Sequence, residues 1–520
     1  MNATSRRLVA VAAATALAAP LLLSASSASA HNRPDPARDA TKLARKLVKE
    51  ASGKDAYKHL KKFQDIADSA GGHRAAGSLG HDASAAYVYS LLKKAGYDVS
   101  YDTFVFTNIE TQAETLKVVS PAPRDSAITA MSYTKSTPKG GITAQLAVVP
   151  VDATTGCEAT DYAAGAFTGK IALIQRGGCD FALKQQTAAA AGAVAAIVSN
   201  NVAGALAGTL GDPAAARIPT GGITQAEGAR LAQDAAAGPV TVNLDLRQLQ
   251  EQRTTRNVIA ETKGGNPANT VMLGSHLDSV TEGPGINDNA SGSAGLLEVA
   301  LDLAKSREKP ANKVRFAWWS AEELGLLGAE DYVQGLTPEQ AERIKLYLNF
   351  DMIASPNFGL FVYDGDDSDA VGSGPGPEGS AQLEKGITDF LDSQGHPHEG
   401  TDFSGRSDYG PFIAVGIPSG GTFTGAEGVK TAAQAAKFGG EAGVAYDPCY
   451  HAACDDLDNI DKKAFDVNVD VIADAVGHYA HDLSPLGAAA GTNAIAKTER
   501  TTGGDTGVGA SNAHEHESRA

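Results

Sequence analysis

At 520 residues the chain is long enough for two domains with separate cores. Its 20% charged and 42% hydrophobic residues are the mixture of an ordinary soluble globular protein. A formal net charge of -17 argues against nucleic acid, whose phosphates need stripes of Lys and Arg, and against an anionic membrane surface. It reads as solubility in an exported protein.

The first thirty residues carry an address. Arg6 and Arg7 form a positive start, 8–23 are apolar and Ala-rich, and Ala28-Ser29-Ala30 offers a small-residue cleavage site. The apolar run is short for a membrane span and no stop-transfer cluster follows it. Residues 1–30 therefore read as a removable signal peptide and the protein as secreted and extracellular. Residues 31–55 are charged and mixed, which suggests a loosely held leader or propeptide-like segment. Amphipathic helices are predicted near 57–70 and 82–95, and YDVSYDTFVF at 97–106 alternates like a strand.

The character changes over residues 131–246. GGITAQLAVVPVD, GKIALIQRGG and AVAAIVSNN read as strands, and FALKQQTAAAAGA and TQAEGARLAQDAAA as helices. This is an insertion with a small α/β core and no cluster of candidate ligands. The chain's four cysteines suggest two disulfides in an oxidising compartment. Three pairings exist; sequence proximity favours Cys157 with Cys179 and Cys449 with Cys454. A cysteine-ligated zinc would need paired close spacings that are missing.

The main fold resumes near 255 with NVIAETKG. VMLGSHLDSVTEGPGINDNASG at 271–292 is an apolar strand, a polar loop and the start of a helix. KVRFAWWSAEELGLLGAEDYV repeats the strand-to-helix pattern, and KLYLNFDMI is a third buried strand. PFIAVGIPSGGTF holds one more strand, and 463–483 a last amphipathic helix. Beyond 484 the hydrophobic pattern is lost, so 485–520 reads as a disordered tail, and His514 and His516 as solvated coil.

Three apolar strands thus end in polar groups: His276 to Asp278, then Glu322 and Glu323, then Asp351. Parallel neighbours would bring these ends to one rim, where open α/β sheets place their sites. Asp288 follows by one loop, and His451 lies in CYHAAC. Two histidines among several carboxylates suit two zinc ions sharing a carboxylate. In an extended strand residues i and i+2 share a side, so Asp278 can reach back to the second ring nitrogen of His276 and fix its orientation. Adjacent Glu322 and Glu323 should point apart, one to a metal and one free as a general base.

HLDS, the GxNDNASG loop, AEELGLLG, NFDM and the late YH together resemble metallopeptidase family 28, the co-catalytic di-zinc aminopeptidases, in particular its secreted streptomycete members. The inserted segment resembles a protease-associated domain. The resemblance implies a three-layer αβα peptidase domain with a mixed, largely parallel sheet (56–130 and 247–484) interrupted at 131–246. It also implies that Asp288 bridges two Zn2+ ions, with His276 and Asp351 completing one site and Glu323 and His451 the other. Glu322 would be the general base acting on a metal-bound water, and Tyr450 the donor to the tetrahedral oxyanion. Arg406, Met352 and Phe423 match substrate-pocket positions, which suggests a large hydrophobic first residue. Asp466 and Asp470 match a calcium site, and the Asp288–Asn289 peptide is expected to be cis. The implied partner is a peptide with a free N-terminus, bound by a monomer, with no nucleic acid or membrane. A carboxypeptidase or a glutaminyl cyclase of the same fold is the alternative enzyme. A peptide-binding protein using the inserted domain is the alternative from another class.

Overall fold

The computed structural model describes residues 35–211, 213–372 and 374–490. The expected signal peptide and, in the tail, His514 and His516 lie outside the described residues. Helices α1 (Pro36–Glu50), α2 (Gly53–Ser69) and α3 (Leu79–Ala95) come first. The long strand β1 (Asp98–Ser120) leads through the short β2 (Arg124–Ser126) and β3 (Thr129–Ala130) into the insertion. There follow β4 (Ile142–Val148), β5 (Ile171–Gln175), α4 (Phe181–Ala190), β6 (Ala195–Ser199), β7 (Thr220–Ile223) and α5 (Gln225–Ala237). β8 (Thr241–Glu261) returns to the main body, followed by β9 (Asn266–His276), α6 (Gly292–Ser306), β10 (Asn312–Trp319), α7 (Leu327–Gln334), α8 (Pro338–Arg343) and β11 (Ile344–Phe350). The remainder is β12 (Phe361–Tyr363), α9 (Ser380–Gln394), β13 (Glu399–Thr401), α10 (Tyr409–Ala414), β14 (Ser419–Phe423), α11 (Ala432–Phe438) and α12 (Lys462–Tyr479).

The three central strands are apolar on both faces, which is the pattern of a sheet covered on both sides. Along β10, Val314, Phe316 and Trp318 join one core with Leu273, Leu346 and residues of α2, α6 and α12. Ala317 and Trp319 join another with Met272, Tyr347 and Phe412 of α10. This alternation makes three layers, helices on each face of the sheet. β14, β11, β9 and β10 run parallel in that order. β8 pairs antiparallel with β10, and β1 with β8. Parallel direction brings His276, Trp319 and Phe350, the last residues of β9, β10 and β11, to one edge.

In the insertion β4, β5, β6 and β7 run parallel, and β4 pairs antiparallel with β8, so these strands continue the main sheet. The insertion's core reaches beyond the expected 131–246 boundary, because Leu116 and Val118 of β1 pack with Val242, Leu244 and Leu246 of β8 inside it. β1 and β8 form one ribbon running through both cores.

The segment expected as a loose leader is also different. Pro36 starts α1 behind the capping carboxylate of Asp35, and Ala40, Leu43, Ala44 and Leu47 are buried as one stripe. α1 lies so close to α12 that a Cβ at Gly477 would stand 2.2 Å from the Ala44 Cα. The charges that suggested a leader occupy the outer face of this helix. Similarly, Leu486, placed in the expected tail, is buried in the main core. Among the described residues no helix is long and apolar enough to cross a membrane.

Candidate metal centre

β9 ends in His276, which is 1% exposed. The chain then loops back through 277–285 to an irregular turn, Ile286–Ser291, that carries Asp288 ahead of α6. Gly285 begins that turn at φ +63, where a Cβ would stand 2.3 Å from the Asp288 carbonyl oxygen. Only glycine fits there. The Asp288–Asn289 peptide is cis. β10 ends one residue before Ser320, and a turn with Ala321 at φ +58 presents Glu322 and Glu323. Asp351 follows β11 directly. His451, at φ +54, sits in the loop closed by the disulfide Cys449–Cys454.

These five elements converge. The two oxygens of Asp288 face different histidines: Oδ1 is 3.2 Å from His276 Nε2 and Oδ2 is 3.2 Å from His451 Nε2. His276 Nε2 is also 3.3 Å from Asp351 Oδ1, and His451 Nε2 is 2.9 Å from Glu323 Oε2. Glu322 Oε2 stands farther off, 3.9 Å from His276 Nε2. Two donors each about 2.1 Å from a zinc ion at tetrahedral angles stand about 3.4 Å apart. The nitrogen–oxygen separations are close to that spacing. Glu323 Oε1 is buried without a hydrogen-bond partner, as are Asp278 Oδ2 and both oxygens of Asp408. A buried anion without a partner is costly, and a cation in its midst removes the cost. Donor types, spacing and the orphaned oxygen of Glu323 fit divalent metal.

The protonation pattern reports the same crowding. Burial, then Asp288, pushes the Glu323 carboxyl up to about 7, against the pull of His451. Burial also raises Glu322 well above the usual carboxylate range, with Asp351, Asp408 and Glu323 adding to it and His276 opposing. Burial disfavours the His276 cation, yet Asp351, Glu322, Asp278 and Asp288 hold it well above the ordinary histidine range. His451 follows the same logic and is raised to about 10.

The other predicted residues divide. Asp278 faces the second ring nitrogen of His276 with both its main-chain and its carboxylate oxygen. The nearer acceptor to His276 Nδ1 is the Asp278 main-chain oxygen at 3.3 Å, while Oδ1 lies at 3.7 Å and accepts from the Glu322 amide. The Tyr450 ring stacks on His451 at 3.8 Å, and its hydroxyl accepts a hydrogen bond from Arg406 Nη2 at 3.1 Å. Arg406 pairs as well with Glu427 at 2.9 Å. Met352 and Phe423 line a cleft beside the cluster together with Tyr363, Tyr409, Ala426 and the more polar Thr401, Asp402 and Ser404. Cys157 and Cys179 are bonded inside the insertion. Asp466 and Asp470 lie on α12 away from this cluster; Asp466 accepts from the Gly53 amide at 2.7 Å.

Sequence reasoning passed over several residues. Ser407 donates to Asp351, and buried Asp408 lies beside it in the same GRSDYG stretch. Asp455 accepts from the amides of Asn287 and Asp288 at 2.8 and 3.0 Å, while Asp447 accepts from the Asn287 side chain at 2.6 Å. Arg74, between α2 and α3, is fully buried behind the cluster. Asp455, four residues after His451, had the only local signal.

Comparison with known proteins agrees with this geometry. A profile of Peptidase family M28 matches residues 257–476, and one of the PA domain matches 142–231. Leucine aminopeptidase 2 of Arthroderma otae is 48% identical over 431 residues, 83% of this chain and 84% of that protein. An aminopeptidase of Pseudomonas aeruginosa is 46% identical over 436 residues, 80% of this chain and 78% of its own. Among solved structures, the aminopeptidase from Aneurinibacillus sp. strain AM-1 superposes with a TM-score of 0.67 at 29% identity, covering 83% of this chain and 95% of that one. A zinc aminopeptidase from Bacillus subtilis gives a TM-score of 0.55 at 27% identity, over 82% and 94%.

Proposed function

The chain belongs to peptidase family M28 and is a metallo-aminopeptidase, and from that premise we propose that it holds two zinc ions and releases large apolar residues from peptide N-termini. The observation that carries this reading is Asp288, whose two oxygens lie 3.2 Å from two different histidines, each backed by a further carboxylate. His276, Asp351 and Asp288 would hold one ion; Glu323, His451 and Asp288 would hold the other. Zinc, when bound, supplies an acidified water and a polarised scissile carbonyl.

The chain's own groups do the rest. Glu322, set back from both histidines and raised in pKa by burial first, takes a proton from the attacking water and passes it to the leaving amine. The Tyr450 hydroxyl accepts from Arg406, so its own proton is free to donate to the tetrahedral oxyanion. The free α-ammonium of the substrate is met by the carboxylate rim, which makes the action exo. Met352, Phe423, Tyr363 and Tyr409 receive the first side chain. The same proposal has the enzyme exported after loss of residues 1–30, consistent with two disulfides, and active as a monomer. It includes a calcium ion at Asp466 and Asp470, resting on the acidic face of α12 that these share with Asp474.

Metal content measured beside hydrolysis of free and N-acetylated aminoacyl amides tests the reading. Two zinc ions per chain, loss of activity on chelation, and cleavage of leucine amide but not its N-acetyl form are expected. One zinc with cyclisation of N-terminal glutamine would move the assignment to a cyclase. Cleavage from the carboxyl end would move it to a carboxypeptidase, and peptide binding without hydrolysis to a binding protein.

A further inference from the structure

A buried arginine lies directly behind the loop that carries the proposed metal ligands. Arg74 is 0% exposed, and among the described residues no carboxylate forms an ion pair with it. Its guanidinium instead spends its donors on main-chain oxygens: Nε on Pro284 O at 2.9 Å, Nη2 on Gly285 O at 2.5 Å, and Nη1 on Leu277 O. Its amide donates to Ser279 Oγ at 2.9 Å, and the Phe63 ring covers it with a centroid 5.4 Å from Cζ. Leu277 is the residue after His276, and Gly285 lies three before Asp288. One planar group therefore joins the two limbs of the 277–285 loop at its base. Asp455 holds the following amides of Asn287 and Asp288 from the other side. The loop's carbonyls and amides are thus fixed by two different side chains, one donating and one accepting.

We propose that Arg74 is a positioning residue for the metal pair: by tying the carbonyls of Leu277, Pro284 and Gly285 together it fixes the spacing between His276 and Asp288 before any metal binds. The inference rests on the two-zinc reading above. Only a planar fork can do this, since three acceptors on two limbs require donors that diverge in one plane. A lysine ammonium radiates its donors from one point and would reach one limb. Gly285 shows how tightly the fork is seated, because a Cβ there would stand 3.2 Å from Arg74 Nη2. The charge has a second consequence. It lies among Asp278, Asp455, Asp288 and Glu323, where burial lowers the guanidinium pKa to about 10 while these acids pull it back up. It stays charged at neutral pH and offsets the buried carboxylates when the site is metal-free.

The test measures Zn2+ affinity of the full chain by chelator competition, with Co2+ absorption distinguishing the two sites, for the parent, Arg74→Lys and Arg74→Met. Both variants should lose affinity by about 10- to 100-fold, the range for groups that orient metal ligands. The loss should be larger at the His276 site than at the His451 site, and excess zinc should restore turnover to Arg74→Lys. A merely structural role would lower the unfolding temperatures of metal-free and zinc-loaded protein alike and leave affinity unchanged. Affinity within threefold of the parent at both sites, in either variant that folds, overturns the proposal. If neither variant folds, Ser279→Ala decides: it removes the anchor of the Arg74 amide, together with the bonds from Ser279 Oγ to the Val280 and Gly283 carbonyls of the same loop. Weaker zinc binding is then expected, and unchanged binding refutes. A parent that binds fewer than two zinc ions would instead refute the two-zinc reading itself.

Discussion

Glu322 and Glu323 are neighbours with opposite surroundings, and their separation is the sharpest test at the scale of single residues. Glu323 Oε2 lies 2.9 Å from His451, whereas Glu322 touches neither histidine at hydrogen-bond distance. Glu322→Gln should keep both zinc ions and peptide affinity while turnover falls ~100- to 10,000-fold, the usual weight of a general base. Glu323→Ala should lose zinc at the His451 site. Single-turnover kinetics with metal analysis reads both, and the reverse pattern would mean the roles are swapped. Asp288→Ala should weaken both sites together; a variant retaining two tightly bound ions would remove the bridging assignment. The ligand candidates were legible because each stands where an apolar strand stops. Arg74 and Ser407 were not, since their partners lie 203 and 56 residues away in the chain and only packing brings them together.

At the scale of elements, the loop Cys449–Cys454 closes a separation of only five residues around Tyr450 and His451. So short a loop removes little unfolded-chain entropy. Replacing both cysteines by Ser should leave the unfolding temperature of the metal-free protein nearly unchanged but weaken zinc at the His451 site. Equal zinc binding with a large stability loss would contradict this. α12 makes a second prediction. Burial, then Asp466 and Asp474, raises the Asp470 carboxyl to about 7. Its folded pKa exceeds the unfolded value of about 3.9, so the protonated form is favoured on folding. That stabilisation is complete below the unfolded value and lost as pH rises through about 7. Asp470→Asn should therefore gain more in unfolding temperature over the parent at pH 8 than at pH 5. Calcium at Asp466 and Asp470 would raise the parent at pH 8 and leave Asp470→Asn unmoved. No response to calcium in either protein would dismiss that ion. α1 was misread from sequence because mixed charge over 31–55 hid a stripe of Ala40, Leu43, Ala44 and Leu47 that only its contact with α12 explains.

The described residues form two units threaded by one ribbon, and this bears on where the insertion can be removed. Composition and strand–helix alternation made both units visible. Their boundary was less so, because β1 and β8 look alike in sequence throughout while changing cores partway along. Thr111 pairs with Gln248 beside an irregularity in register, and beyond it Leu116 and Val118 belong to the inserted core. Every residue lining the candidate cleft lies between Asp288 and His451, outside the insertion. Joining Thr111 to Gln248 through an Asn-Gly turn, with 112–247 deleted, should leave an ordinary antiparallel hairpin. That protein should fold, bind two zinc ions and hydrolyse leucine amide as the parent does. Deleting only 131–246 should instead strip Leu116 and Val118 of Val242, Leu244 and Leu246, leaving an apolar strand edge prone to aggregation. Solubility and thermal unfolding separate the two deletions. If the shorter excision proves the soluble one, the ribbon does not divide at Thr111. If the hairpin variant folds with two zinc ions yet fails on leucine amide, the insertion takes part in the reaction, and the cleft described by the peptidase core alone is incomplete.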